Sequence, residues 1–189
     1  MKFINFSKLS SKKKNTIKKK IYNLITMEMK LSIFSFLNFQ EFEKIYFNIN
    51  EEFIYIDIMN KKINCLLTYL PKKNEKIFKD NLLNILFKNP LNLLKFFLSP
   101  SNLFKNIKPP KKYLQLFHLI NLNLKNIKKN KKYSLINNLH RKVVKGKYEG
   151  IYVLYKNTNF IAKKYYHNNN FKIYDKNLFY SLAVKKFQF

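Results

Sequence analysis

Positive charge is the feature that most constrains this chain. Among its 189 residues, 38 are basic and 10 are acidic, which gives a net charge of +28. Such self-repulsion opposes a compact fold unless a polyanion neutralises it. The hydrophobic fraction of 47% is still enough to build a sizeable core. The composition therefore predicts a folded domain whose partner is nucleic acid or an anionic membrane.

The kind of positive charge indicates the source of the sequence. Arg141 is the only arginine, and lysine, asparagine, isoleucine, phenylalanine and tyrosine are abundant while glycine occurs twice. Arginine is the usual choice for binding phosphate, so its scarcity reflects codon supply more than binding chemistry. We interpret the bias as translation from an AT-rich organellar genome. The expected location is the mitochondrial matrix, with a plastid-type organelle as the alternative.

No segment predicts a membrane span. A spanning helix needs about 20 predominantly apolar residues, whereas residues 113–124 are too few and residues 90–104 are interrupted by Lys95 and Pro100. Cys65 is the only cysteine, which excludes an internal disulfide and indicates a reducing compartment and a buried apolar position. A membrane-associated subunit of an organellar complex remains an alternative function.

Composition divides the chain into three segments. Residues 1–20 carry two lysine clusters and are predicted to form a basic arm. Residues 21–105 are predicted to be an extension of mixed helix and strand, in which acidic residues concentrate. Pro109 and Pro110 interrupt any helix, so residues 106–189 are predicted to form a separate unit. Residues 81–189 hold 22 basic and two acidic residues, a net charge of +20, which makes this unit the better candidate for binding RNA.

Apolar periodicity predicts the fold class. We expect α+β, with a C-terminal unit of one helix packed on a short sheet with a hairpin. Leu116 and Ile120 lie at helical spacing within that helix. Gly146 and Gly150 stand before the hairpin and indicate special backbone geometry or a close approach to another backbone. The predicted strands are residues 53–58, 65–70, 150–155 and 160–166, and the hairpin turn is 156–159. The predicted helices are 80–98, broken at Pro90 and closed by Pro100, and 113–127.

The residues that could hold a metal are scattered. A zinc site needs about four cysteine or histidine ligands at short spacings, but Cys65, His118, His140 and His167 stand singly in the sequence. His118 is expected in the core, whereas His140 and His167 lie in basic surroundings that suit contact with RNA. We therefore expect no metal site.

Residues for catalysis or nucleotide binding are also poorly represented. Two glycines four residues apart do not form a loop that brings backbone amides to phosphate. Glu51 and Glu52 adjoin a predicted strand, where adjacent side chains point to opposite faces. The sequence therefore predicts no enzyme, no cofactor and no small-molecule substrate.

Lysines interleaved with aromatic residues follow residue 145 and favour RNA binding. Lysines neutralise phosphate without reading base sequence, and exposed tyrosines stack on unpaired bases, whereas Phe160 is expected in the core. The predicted RNA-contact residues are Lys111, Lys112, His140, Arg141, Lys142, Lys145, Lys147, Lys156, Lys163, Lys164, Lys172, Lys185 and Lys186.

Residues 139–166 resemble small-subunit ribosomal protein nineteen. That family carries Arg-Arg-Ser-Ser-Ile-Leu-Pro-Glu-Phe, then a Val-Arg-Ile-Tyr strand, an Asn-Gly-Lys turn and a Phe-Val strand. Here residues 140–144 resemble the first stretch, 153–155 the strand, 156–159 the turn and 160–161 the second strand. The weaker parallels are residues 112–119 and 172–186. The family's Trp-Lys-Gly-Pro signature is not intact, and residues 1–105 have no counterpart.

This resemblance implies a structural constituent of an organellar ribosome. Its implied partners are ribosomal RNA of the small-subunit head and neighbouring ribosomal proteins, including small-subunit protein thirteen. A competing match is large-subunit ribosomal protein sixteen, whose Leu-Pro-Ile-Lys ending resembles residues 182–185.

Overall fold

A computed structural model describes residues 2–28, 33–88, 90, 94, 107–121 and 129–189. The strands are β1 (Ile4–Asn5), β2 (Ile54–Met59), β3 (Lys62–Leu70), β4 (Tyr113–Asn121), β5 (Gly150–Lys156), β6 (Lys172–Lys176) and β7 (Tyr180–Lys186). The α-helices within the described residues are α1 (Ser11–Glu28), α2 (Phe39–Asn50), α3 (Lys72–Phe87), α4 (Lys129–Val144) and α5 (Phe160–Asn168). The strands form one mixed sheet in the order β1-β2-β3-β4-β5-β7-β6. The chain divides into two compact units, Met1–Leu98 with His118–Asn123, and Ser99–Phe117 with Leu124–Phe189.

The N-terminal unit contains an antiparallel hairpin of β2 and β3. Ile54 pairs with Thr68 at one end and Met59 with Lys62 at the other. The two residues between the strands, Asn60 and Lys61, have φ values of 51° and 61°, which is the backbone that a tight two-residue hairpin turn requires. The predicted strands at 53–58 and 65–70 are therefore confirmed.

Helix α1 contains the lysine clusters that were predicted to form a basic arm. Its buried residues, Ile17, Ile21 and Ile25, are spaced four apart and form one face. Lys18 on this helix pairs with Glu43 on α2 at 2.6 Å. The helix is thus amphipathic, with its isoleucine stripe in the core of the N-terminal unit.

The sequence explains where two other helices of this unit begin. Asn38 and Glu41 form a capping box at the start of α2, in which each side chain accepts the other residue's backbone N–H. Helix α3 begins after Pro71 and ends at Phe87. The helix predicted at 80–98, with a break at Pro90, is confirmed for residues 80–87, although α3 begins eight residues earlier. Pro90 and Leu94 are also helical, and residues 89, 91–93 and 95–98 lie outside the described part of the chain.

A buried polar network lies in the core of the N-terminal unit. The Tyr46 hydroxyl is 2.5 Å from the Thr68 hydroxyl and 3.0 Å from His118 Nδ1. The Tyr46 ring stacks on Phe42, with 4.7 Å between the ring centroids. Burial lowers the pKa of His118 to about 3 and raises that of Tyr46, so both side chains are neutral. His118 and Cys65 are buried as predicted.

Strand β5 is the centre of the C-terminal unit. It pairs with β4 in parallel and with all of β7 antiparallel, and β6 pairs with the far side of β7. The core beside it contains Ile107, Tyr152, Tyr180 and Leu182. The predicted strand at 150–155 is confirmed.

The other secondary-structure predictions for this unit are wrong. Residues 113–121 form a strand and not a helix, and residues 122–127 of that predicted helix lie outside the described residues. Residues 160–166 belong to α5, so the predicted hairpin does not exist. Helix α4 was taken for a polar connection, although Ile136, Leu139, His140 and Val144 form a buried helical face. The predicted single helix on a short sheet is therefore replaced by the seven-stranded mixed sheet.

No helix of the described residues is long and apolar enough to cross a membrane.

Replacing Tyr46 with Phe is expected to destabilise the protein. The change leaves the Thr68 hydroxyl and His118 with an unfilled hydrogen-bonding position in the core, which costs about 1–3 kcal/mol. Unfolding in urea measures the loss. The matched control is Tyr55→Phe, because the half-buried Tyr55 hydroxyl makes no hydrogen bond with the described residues, and it should change the unfolding free energy by less than about 0.5 kcal/mol. Equal effects of the two substitutions would refute the role of the network.

Candidate functional site

Two parallel strands part within the C-terminal unit. The register of β4 and β5 covers three pairs, Tyr113 with Gly150, Leu114 with Ile151 and Gln115 with Tyr152. Both strands continue beyond these pairs, and β5 stays paired with β7 along its whole length. After the third pair, Leu116 and Phe117 on β4 and Val153 on β5, all in the C-terminal unit, no longer pair with each other, and their backbone amides and carbonyls are obligatory hydrogen-bonding groups. An extended ligand with amide groups could pair with these edges.

Gly150 is the first residue of β5 that pairs with both β4 and β7, and it lies two residues before the last pair with β4. A Cβ atom at this residue would collide with the carbonyl oxygen of Lys185 on β7 and with the ring of Tyr113 on β4. Gly146 has a φ of 76°, which disfavours most side chains. The prediction that the two glycines mark special geometry and a close backbone approach is therefore confirmed.

Helix α5 positions a buried tyrosine beside β5. The Asn159 side chain caps the helix by accepting the backbone N–H of Ala162 at 2.9 Å. Seven residues after this cap, Tyr166 stacks on Tyr155 of β5 with 5.5 Å between ring centroids. Burial raises the pKa of Tyr166, so its phenol is neutral. The Tyr166 hydroxyl makes no hydrogen bond with the described residues, which leaves its proton available to a ligand.

A half-buried lysine joins the elements around this tyrosine. Lys185 Nζ on β7 donates to Asn137 Oδ1 on α4 at 2.8 Å and to the carbonyl oxygen of Asn169, after α5, at 2.7 Å. The ammonium also lies 5.8 Å from the centre of the Phe171 ring. Burial, and then the positive charge of Arg141, lower the pKa of Lys185. Lys185 was predicted to contact RNA, and the structure shows it bound to groups of its own unit.

His140 was also predicted to contact RNA, but it lies in the core. Its side chain on α4 is 1% exposed. Burial, and then the charge of Lys185, lower the pKa of His140 to about 3. A neutral core histidine cannot stack on a base, so this prediction is wrong, and so is the core position predicted for Phe160, which is 76% exposed.

The remaining predicted RNA-contact residues are spread along the C-terminal unit. Lys112 forms an ion pair with Glu149 at 3.1 Å. Their individual roles stay a prediction. Lys111 and Lys112 precede β4. Arg141 and Lys142 lie in the last turn of α4, and Lys145 and Lys147 follow that helix. Lys156 is the last residue of β5, Lys163 and Lys164 lie on α5, Lys172 is the first residue of β6, and Lys186 is the last residue of β7.

Sequence reasoning missed the parted strands and Tyr166. The pairing of two distant strands leaves no local pattern. Tyr166 had a local indication, because Asn159 begins a spacing of Ala162, Tyr166 and Asn169 that is typical of a capped helix. The aromatic and β-branched residues around it favoured a strand instead.

Comparison with solved structures identifies the fold. No protein-family model matches the chain, and no curated protein matches it in sequence. A structure described as an acetyltransferase matches with a TM-score of 0.64 at 13% identity, covering 98% of this chain and 99% of the other. An N-acetyltransferase from Staphylococcus aureus Mu50 matches at 0.60 and 12% identity, with 98% and 100% covered. Campylobacter jejuni N-acetyltransferase PseH in complex with acetyl coenzyme A matches at 0.50 and 16%, with 98% and 97% covered.

This chain has the N-acetyltransferase fold. The likeness extends over nearly all of each chain, so it accounts for residues 1–105 as well as for the C-terminal unit. It overturns the resemblance to small-subunit ribosomal protein nineteen, and with it the expected ribosomal role, the large-subunit and membrane-complex alternatives, and the ribosomal RNA partner. It also contradicts the predictions that the chain is not an enzyme and has no small-molecule substrate, because the three matching solved structures are described as acetyltransferases.

Gly150→Ala is expected to destabilise the C-terminal unit. The new methyl group meets backbone on one side and a packed ring on the other, and such overpacking costs about 1–3 kcal/mol. Unfolding in urea measures this loss in the free energy of unfolding. Gly146→Asn is the matched control, because no atom lies within 4 Å of a Cβ there and asparagine tolerates positive φ. A Gly150→Ala protein as stable as the control would show that the close approach has no effect.

Acidification is expected to destabilise the protein before its carboxylates titrate. The unfolded chain protonates His118 and His140 near pH 6.5, whereas each folded pKa is about 3. The stabilisation from these neutral histidines is therefore full above pH 6.5 and is lost as pH falls, by about 1.4 kcal/mol per pH unit for each histidine. Urea unfolding between pH 7 and 5 tests this. A constant unfolding free energy over that range would contradict it.

Proposed function

We propose that the chain transfers an acetyl group from acetyl coenzyme A to an amine. The observation that carries this proposal is the parting of β4 and β5 after Gln115 and Tyr152, in a chain that has the N-acetyltransferase fold over its whole length. The resemblance to a solved N-acetyltransferase in complex with acetyl coenzyme A supports the choice of acetyl donor.

The parted edges suit the amide-containing arm of coenzyme A. This arm is a flexible linear chain that carries two amide groups, as a peptide does. Backbone groups along Leu116 on β4 and Val153 on β5 can pair with such a chain as they would with an added strand. The arm would then lie in the sheet plane, with its thioester end held by main-chain hydrogen bonds.

The beginning of α4 suits the phosphates of coenzyme A. Its first four residues are Lys-Asn-Lys-Lys, and the first turn has no acidic residue. The backbone N–H groups at a helix N-terminus attract anions, because the helix dipole is positive at that end.

Tyr166 suits the role of proton donor to the leaving thiolate. The amine nitrogen attacks the thioester carbonyl carbon, a C–N bond forms, the C–S bond breaks, and the amine proton passes to solvent. Burial keeps the Tyr166 phenol protonated, and its hydroxyl makes no hydrogen bond to the described residues, so its proton is in place when the thiolate leaves. Solvent then reprotonates the phenol.

The AT-rich organellar origin remains a prediction.

Tyr166→Phe is expected to lower kcat for acetyl transfer with little change in KM. Removing a general acid typically lowers the rate by about 10²-fold or more, and the loss of an unbonded hydroxyl leaves the fold intact. Release of the free thiol of coenzyme A, measured with a panel of primary amines, tests this.

The matched control is Tyr174→Phe, because Tyr174 is 57% exposed on β6. It should keep the activity of the parent protein. Full activity of Tyr166→Phe would remove this residue from the chemistry. The absence of both thiol release and acetyl coenzyme A binding in the parent protein would contradict the function itself.

A further inference from the structure

A small cavity lies between α5 and the sheet of the C-terminal unit. Its volume is about 190 Å³, and it is lined by Tyr155, Asn157, Lys163, Ile173, Lys176 and Ser181. About 10–15 Å³ of such space is enough to hold one water. It is large enough for a phosphate group or a short carboxylate.

The hydroxyl of Tyr155 is the built polar group of this cavity. The Tyr155 side chain is 8% exposed, and its ring is held in place by stacking on Tyr166. Its hydroxyl makes no hydrogen bond with the described residues, although the residue lines the cavity. A hydroxyl without a protein partner can donate to water or to a ligand group that enters the cavity.

Charge around the cavity is entirely positive. Lys163 comes from α5 and Lys176 from the end of β6, and no carboxylate is among the lining residues. The nearest acid in sequence, Asp175, accepts the backbone N–H of Lys176 at 2.7 Å. Two ammonium groups and one phenol therefore provide donors without a competing negative charge.

The remaining polar wall is fixed by its own hydrogen bonds. Asn157 Nδ2 donates to the carbonyl oxygens of Asn177 at 2.8 Å and Leu178 at 3.1 Å. Its Oδ1 accepts the Ser181 hydroxyl at 2.6 Å. These bonds join the end of β5 to the turn before β7. The cavity is thus shaped before a ligand enters, which lowers the entropic cost of binding.

We propose that this cavity binds the oxyanion of a small molecule, a phosphate or a carboxylate group. The Tyr155 hydroxyl and the Lys163 and Lys176 ammonium groups donate to its oxygens, and Ile173 packs against the rest of the ligand. Charge-assisted hydrogen bonds of this kind are about twice as strong as neutral ones. The site is independent of acetyl transfer, since none of its donors takes part in the proposed chemistry.

Titration of the whole ¹⁵N-labelled chain tests the proposal without acetyl coenzyme A. Inorganic phosphate and acetate are added in separate series at constant ionic strength, with sodium chloride as the reference. Saturable shifts of the amides of Tyr155, Lys176 and Ser181 with either anion support the site. Tighter binding of phosphate identifies a phosphoryl ligand, and tighter binding of acetate identifies a carboxylate.

Two variants and one control locate the binding. Lys163→Gln and Tyr155→Phe should each weaken the anion by about 10-fold, the equivalent of one lost hydrogen bond to a charged group. Lys164→Gln removes the neighbouring charge on α5, which does not line the cavity, and should change Kd by less than about twofold. The proposal is overturned if Lys164→Gln weakens binding as much as Lys163→Gln, or if the shifts do not saturate.

Discussion

The close approach of three strands at Gly150 is the constraint on which the C-terminal unit depends. The Lys185 carbonyl and the Tyr113 ring occupy the space that a side chain at residue 150 would need. From that point β5 pairs with β7 along seven residues but with β4 along only three. The pairing of β5 therefore differs on its two sides, and the unpaired part of its edge lies toward β4.

Some of the lysines make contacts within the protein that stabilise its fold, so the net charge alone does not identify a partner. Lys185 holds α4, α5 and β7 together through Asn137 and Asn169. In the N-terminal unit, Lys14 and Lys18 pair with Glu51 and Glu43. Exposed pairs of this kind contribute little, but partly buried ones fix the position of a helix. An AT-rich codon supply explains the abundance of lysine as well as RNA binding does.

Local patterns predicted β2, β3 and β5 but not β4 and α5, on which the site also depends. Strand β4 was mistaken for a helix because Leu116 and Ile120 are four residues apart, a spacing that fits both a helix and every second residue of a strand. The alternating burial of Leu114, Leu116, His118 and Ile120 resolves the ambiguity in favour of the strand. The parting of β4 from β5 is set by tertiary pairing, which no single segment encodes.

Amide hydrogen exchange with and without acetyl coenzyme A tests most directly whether the parted strands bind the acetyl donor. The backbone of Leu116 on β4 and of Val153–Lys156 on β5 should exchange more slowly in its presence, because the arm of coenzyme A pairs with both edges. Exchange at the β2–β3 hairpin should not change. Saturable binding without protection at β4 and β5, or no binding, would contradict the account.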